Sequence, residues 1–515
     1  MLRYIKLLRF ARLLLAQNSL LPPDFHQKAP FWIRFGRSVL TFGAPNFDHQ
    51  EKSQRGQALS QRLQTLGPTY IKLGQSLATR PDIIGLELAQ DLHYLQDQLP
   101  PFPNAQVEAL LADQLDVPKE ALFDDFEAPI AAASIAQVHQ AKLKDGRRVA
   151  VKLLRPGIEK ELAEELRSFF FLARLVERFV PSARRIRPVA SVQTLADSVQ
   201  LELDLRLEAA ALSEMGENVA GDPDFTVPEV IWEGTGRRML TMQWMDGTKL
   251  SDIEGLKKAG HNLPALARKL LQSFLTHALR DGFFHGDMHQ GNLLVDSQSN
   301  LIGIDLGIMG RLDPDSRRFL AEILYGFITR DYQKIADVHF EAGYVQSTKN
   351  KDAFAQALRS IGEPISGQNA DTISMARLLT QLFEVTEQFD METQPQLLLL
   401  QKTMVVVEGV ARSLDPKLNI WSIAEPVVRG WLNDELGPQA IVKDAVGGIQ
   451  KASRQLAKLP DTLALAERNQ KALAGILTEN GLKLHPDMLA NQKSAKPIWL
   501  AIAATAGLAL AAILL

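Results

Sequence analysis

Two short apolar segments, each joined to a loop rich in oxygen donors, constrain this chain more than any other feature. Phe284-His285-Gly286-Asp287-Met288-His289-Gln290-Gly291-Asn292 runs into Leu293-Leu294-Val295, and Ile302-Gly303-Ile304 runs into Asp305-Leu306-Gly307. The apolar triplets read as buried strands and the polar stretches as the loops they hold. Asp287 and Asn292 lie five positions apart on one loop, and the second loop presents Asp305 beside a glycine. Hard cations are held by such carboxylate and amide oxygens. A solvated turn between two strands would account for the first loop alone. The second acidic loop at this distance argues against it. His285 and His289 raise the question of a zinc site, but their place within the loop points to positioning roles.

The chain has 515 residues, enough for more than one domain and a large core. Its formal net charge of −3 gives no footprint for a nucleic-acid partner. It has no cysteine, which removes disulfides, thiolate metal sites and thiol nucleophiles. The first forty residues are basic, with Arg3, Lys6, Arg9, Arg12, Lys28, Arg34 and Arg37 against Asp24 alone. Charges interrupt any apolar core there, so the stretch does not read as a signal peptide. It reads either as a helix lying on an anionic membrane or as a solvated helix packed on the body.

Leu66-Gly67-Pro68 to Arg80-Pro81 reads as a short helix opened by Pro68 and stopped by Pro81, with Lys72, Gly74 and Gln75 inside it. Leu99-Pro100-Pro101-Phe102-Pro103 is a break, with helical residues from there to about Phe123. Pro129 to His139 reads as a small-residue turn containing Ala131, Ala132, Ala133, Ser134, Ile135, Ala136, Gln137 and Val138. A strand then runs to Lys144, Asp145-Gly146 makes a hairpin turn, and Arg148 to Leu154 returns with Val149-Ala150-Val151-Lys152. A long helical stretch leads to Glu202-Leu203-Asp204 and Glu208. On one regular helix Glu202 and Glu208 would point about 240° apart. Only one of them can then face Lys152 unless the helix bends. Arg238 to Gly247 reads as a strand entering a hinge, and Ala265 to Leu279 as a core helix. After Gly307 the chain passes directly toward a helix, and helical segments continue to about residue 485. Pro497 to Leu515 is uncharged and apolar, and at about 1.5 Å per residue it spans roughly 28 Å, enough to cross a bilayer. Lys493 and Lys496 before it orient the body to the cytoplasm. A buried, alanine-rich core helix is the alternative.

Taken together, a small-residue loop, a strand, a tight turn and a lysine-bearing strand resemble the nucleotide lobe of a kinase. Ala131, Ala133, Ala136 and Val138 stand where the glycines and valine of G-x-G-x-x-G-x-V would stand. The order Lys72-Leu73-Gly74-Gln75, alanine-rich loop, Val149-Ala150-Val151-Lys152, Glu202-Leu203-Asp204, His285-Gly286-Asp287, Asp305-Leu306-Gly307 resembles the UbiB/ADCK family of atypical kinases over roughly residues 30 to 430. That resemblance implies an α+β, bilobal protein-kinase-like fold with a helical N-terminal extension and a C-terminal transmembrane helix. The expected divisions are an extension over residues 1–110, an N-lobe over 111–247, a C-lobe over 248–440, a helical linker over 441–496 and a membrane helix over 497–515. ATP and Mg²⁺ are the implied cofactors. Asp287 is the expected base, Asn292 and Asp305 the metal ligands, and the 131–139 loop with Lys152 and Glu208 the nucleotide site. Lys72, Gly74, Gln75, Glu202 and Asp204 are expected to form a lid over it, with Lys72 meeting Glu202.

Two departures narrow the acceptor. Gly286 replaces the arginine of H-R-D, and no Ala-Pro-Glu follows. The phosphorylation switch and peptide platform of regulated protein kinases are both missing, which favours a small or lipid-like acceptor. The family implies a role in ubiquinone biosynthesis at the bacterial inner membrane, with membrane lipids, quinone precursors and other proteins of that synthesis as partners. Its bacterial members carry two apolar spans, where this chain has room for one. A protein kinase, and an ATP-sensing lipid-binding scaffold that transfers no phosphoryl group, are the alternative readings.

Overall fold

The computed structural model describes residues 63, 65–78, 100–179, 187–366 and 395–436, with positions 385, 388, 389 and 391. The basic amino terminus and the apolar segment from Pro497 lie outside the described residues. Met1–Leu432 forms one compact unit; of the second, Asn433–Leu515, only the first four residues are described. Among the described residues no helix is long and apolar enough to cross a membrane.

In chain order the first elements are α1 (Pro68–Ala78), α2 (Asn104–Gln114), α3 (Lys119–Leu122), β1 (Phe123–Ala132), β2 (Ala136–Leu143) and β3 (Arg148–Leu154). Three long helices follow, α4 (Ile158–Phe179), α5 (Pro188–Glu202) and α6 (Leu205–Val219). Then come β4 (Phe225–Thr226), β5 (Met239–Gln243), β6 (Thr248–Lys249), α7 (Ile253–Lys258) and α8 (Leu263–Thr276). Four short strands follow, β7 (Phe283–His285), β8 (Leu293–Val295), β9 (Leu301–Gly303) and β10 (Met309–Arg311). The remaining helices are α9 (Pro314–Thr329), α10 (Tyr332–Glu341), α11 (Lys351–Ser366), α12 (Pro395–Leu414) and α13 (Ile420–Leu436).

The N-lobe sheet is antiparallel, in the order β1-β2-β3-β5. Strand alternation divides its residues between two faces. Val149, Val151 and Leu153 pack with Val107, Leu110 and Leu111 of α2. Ala136, Ala150 and Leu154 join the main core, which continues through α6 and α8 into the C-lobe. The expected boundary at 110/111 therefore falls inside α2, whose buried residues belong to the N-lobe. The expected turn from Pro129 to His139 is also much shorter. β1 reaches Ala132 and β2 begins at Ala136, so only Ala133-Ser134-Ile135 turn. Alanine, unlike glycine, has no conformational reason to leave an extended strand.

The single helical stretch expected before Glu208 is three helices. The last break lies at Leu203-Asp204, where the Asp204 carboxylate accepts the Arg206 N–H at 3.2 Å and caps α6. The C-lobe sheet runs β4-β9-β8-β6, and β7 pairs with β10. β4 comes from residues assigned to the N-lobe by sequence, yet it pairs parallel with β9. The hinge ends at Gly247, where an added Cβ would lie 2.9 Å from Val295 O, so β6 approaches β8 only with glycine there. Between Gly307 and the next helix the chain forms β10, where sequence predicts a direct passage.

Candidate active site

Lys152 is the centre of the site. Its Nζ donates to both oxygens of Glu208 at 2.8 and 2.9 Å, and to Asp305 Oδ2 at 3.1 Å. β3 supplies the lysine, α6 the glutamate and the loop after β9 the aspartate. Burial opposes charge on Lys152, but Asp305 and Glu208 outweigh it and hold the ammonium protonated, well above the ordinary lysine range. Burial likewise opposes charge on Asp305 and alone would raise its pKa. Lys152 and the Gly307 N–H, 3.2 Å from Oδ1, reverse this and keep the carboxylate ionised. Glu208 is pushed up to about 7, by burial first and then by the charges of Asp305 and Glu202, against the pull of Lys152.

The loop after β7 supplies the other expected groups. His285 is buried and its Nδ1 accepts the Asp287 N–H at 3.0 Å, which places its proton on Nε2. Burial lowers its pKa to about 4, so the ring is neutral. The His289 ring accepts the Gly291 N–H at 3.0 Å, and Asn292 Nδ2 donates to Asp287 O at 3.1 Å. Both histidines thus order the loop that carries Asp287. The Asn292 amide nitrogen is committed to the loop, which leaves its oxygen for a cation. An ionised carboxylate and an amide oxygen fit a hard divalent ion whose remaining ligands come from phosphate and water. Among the described residues no group of three His, Cys, Asp or Glu side chains could hold a metal by itself.

The loop residues divide between the two faces of the sheet. Ala131, Val138, Lys152 and Leu240 are successive cross-strand neighbours on the inner face. Ala132 and Gln137, also expected at the nucleotide, pair on the outer face. His139 shares that face with Gln137. Phe102 N donates to Gln137 Oε1 at 2.9 Å, Gln137 Nε2 lies 2.8 Å from His139 Nε2, and His139 Nδ1 lies 2.8 Å from Glu127 O. With the His139 proton on Nδ1 the relay is complete, and it serves the proline-rich segment. In the turn, Ala133 N donates to Ala136 O at 2.7 Å. Ser134 is buried with its hydroxyl unpartnered, a polar atom waiting for an acceptor such as a phosphate oxygen.

Lys72 Nζ of α1 lies 2.7 Å from Glu202 Oε2 at the end of α5. The break at Leu203-Asp204 lets Glu202 turn to Lys72 and Glu208 to Lys152. Gly74 is buried and Gln75 half-buried in α1, while Tyr70 packs edge-on against Phe169 of α4 at 5.2 Å. Asp204 stands apart from the Lys72 pair. Its partner is Arg206, at 2.8 and 2.6 Å, and it acts as a helix cap.

Two anchors, Thr403 and Arg311, had no signal in the sequence. Thr403 Oγ1 of α12 donates to Gly286 O at 2.9 Å, bracing the loop from behind. A Cβ at Gly286 would meet Ile308 Cγ2 at 3.0 Å and Leu399 Cδ1 at 3.2 Å, so any side chain in place of the glycine requires these neighbours to shift. Arg311 of β10 grips both carboxylate oxygens of Glu214 on α6. A threonine in an apolar helix, or an arginine distant in sequence from its glutamate, follows no local spacing.

Comparison with known proteins agrees with this geometry. Residues 94–339 match the ABC1 atypical kinase-like domain, and residues 358–419 match the UbiB helical domain. A Marinobacter nauticus protein named "Probable protein kinase UbiB" is 38% identical over 416 residues, covering 80% of this chain and 76% of its own length. An Aeromonas salmonicida protein of the same name is 40% identical over 398 residues, covering 76% and 73%. Among solved structures, the complex of Rv3197 with erythromycin from Mycobacterium tuberculosis aligns with TM-score 0.51 and 24% identity, over 73% of this chain and 95% of that one, and so shares the fold. With the lysine-glutamate pair, the H-G-D loop and the helix that braces it all in place, the chain belongs to the ABC1/UbiB family of atypical kinases.

Proposed function

We propose that this protein is a Mg²⁺-dependent atypical kinase or ATPase that supports ubiquinone biosynthesis, with a small or lipid-like acceptor. The observation that carries the reading is the meeting of Lys152, Glu208 and Asp305 beside the Asp287–Asn292 loop. Lys152 would bind the phosphates, and Asn292 and Asp305 would hold the cation, which neutralises phosphate charge. In transfer, the bond from the γ-phosphorus to the β–γ bridging oxygen breaks as the acceptor oxygen bonds to phosphorus. ADP leaves with the bridging oxygen, and the acceptor proton passes to the Asp287 carboxylate. Water in the acceptor position gives ATP hydrolysis by the same route.

The small or lipid-like acceptor is favoured because Gly286 replaces the arginine of H-R-D and no Ala-Pro-Glu follows, while α12 braces the Gly286 loop through Thr403. The lid role of α1, with Lys72, Gly74 and Gln75, and anchoring of the body at the bacterial inner membrane through Pro497 to Leu515, belong to the same proposal. The test is phosphate release and labelled product from full-length protein with ATP, Mg²⁺ and vesicles carrying quinone precursors. Asp305→Asn should weaken Mg-ATP binding, and Asp287→Asn should spare binding while stopping turnover. If both variants bind and turn over like the parent, the assignment is wrong. Binding without turnover in the parent would favour the scaffold.

A further inference from the structure

We infer that Arg155 is a positioning residue that fixes the nucleotide loop and ties it to the proline-rich segment at residues 100–103; the inference rests on the kinase reading of that loop. Arg155 follows directly on β3, three residues after Lys152. Its backbone N–H donates to Ile135 O at 2.8 Å. Its Nε and Nη2 both donate to Ala133 O at 3.0 Å. Nη2 also donates to Pro100 O at 2.8 Å, and the guanidinium lies 5.9 Å from the centre of the Phe102 ring. One residue therefore fastens the first and last members of the Ala133-Ser134-Ile135 turn. The same residue, with Gln137 accepting the Phe102 N–H, holds the segment leading out of the N-terminal extension.

The choice of arginine follows from geometry. A planar guanidinium reaches two carbonyls and lies over a ring at once, whereas an ammonium is a point donor on a flexible stem. Alanines already restrict the turn compared with glycines, and Arg155 removes the freedom that remains. A loop ordered before the nucleotide arrives binds without the entropic cost of ordering. Arg155 acts on the backbone of this loop, so its removal should act on binding and leave the chemical step alone.

The experiment uses purified full-length protein, with two readouts. Hydrogen exchange at the Ala133 amide, measured without nucleotide, should speed up about tenfold in Arg155→Ala, as loss of charge-assisted hydrogen bonds implies. The KM for ATP should rise about tenfold with kcat within twofold of the parent. Arg155→Lys should fall between parent and Arg155→Ala in both. Should Arg155→Ala fail to fold, Phe102→Leu carries the test, because it removes the ring beside the guanidinium, and it should shift both readouts in the same direction. Exchange and KM within twofold of the parent, in whichever variant folds, would overturn the inference. A parent protein that binds no nucleotide would sink the kinase reading, while exchange at Ala133 would still decide for or against the clamp.

Discussion

Cutting the ion pair between α1 and the end of α5 is the perturbation whose size can be worked most directly. Lys72 and Glu202 lie 2.7 Å apart with side chains 15% and 13% exposed. At an effective dielectric constant of about 20, their attraction is about 6 kcal/mol before desolvation is subtracted. Stranding one charge of a fully buried pair costs about 3–5 kcal/mol. The water that still reaches this pair reduces that to about 2–3 kcal/mol. Lys72 also has contacts beyond Glu202, so Lys72→Ala should cost more than Glu202→Ala. The double-mutant cycle isolates the shared term, expected at about 1.5–2 kcal/mol. Urea unfolding of the four full-length proteins measures it, and ATP turnover measured alongside should change in the same direction in both single variants. A coupling energy under about 0.5 kcal/mol would show that the two residues act separately, and the lid proposal would lose its tether.

Gly286→Ala should destabilise the protein by about 1–3 kcal/mol, since the new methyl meets Ile308 and Leu399 at 3.0–3.2 Å; an unchanged melting temperature would mean that α12 is not closely packed there. Ala133→Gly should restore freedom to the turn and change the ratio of ATP to ADP affinity, and equal ratios by titration calorimetry would count against it. His339 is buried on α10, and burial lowers its pKa to about 4, although its Nδ1 bonds to Ile335 O at 2.7 Å. The unfolded chain takes up this proton below about pH 6.5 while the fold does not, so stability present above pH 6.5 is lost as pH falls toward 4. The loss approaches about 3 kcal/mol at the low end. His339→Phe should therefore flatten the pH dependence of denaturant unfolding between pH 6.5 and 4, and an identical slope would refute the assignment.

Local patterning made the lobes legible. The apolar triplets around Asp287 and Asp305, the Asp145-Gly146 turn and the lysine of Val149-Ala150-Val151-Lys152 each follow short-range rules, and the strands lie where those rules put them, except that β9 sits one residue before the Ile302-Gly303-Ile304 triplet. That Glu202 and Glu208 take different partners was also readable, because on one regular helix they could not share a direction, and the break at Leu203-Asp204 separates them further. What sequence did not reveal lies at longer range. Gln137 and His139 belong to the outer face because they pair with Leu153 and Val151, and a one-residue slip of that register would reverse every face. Asp204 reads as one more acid until the helix break makes it a cap. Thr403 and Arg155 acquire their roles from partners 117 and 22 residues away, separations that no spacing rule encodes.

The pairing of Phe225–Thr226 with β9 has a consequence for how the molecule folds and for how it can be divided. A strand contributed from before the hinge completes a sheet whose other members lie after it. Arg280, which follows α8, clasps Asp222 just ahead of that strand at 2.6 and 3.0 Å. The chain thus crosses between lobes more than once, and the main core is continuous across them. Cutting at Gly247 would strip the second lobe of an edge strand and expose its backbone. The two lobes should therefore unfold as one cooperative unit, rather than as a pair of modules that could be expressed or exchanged separately.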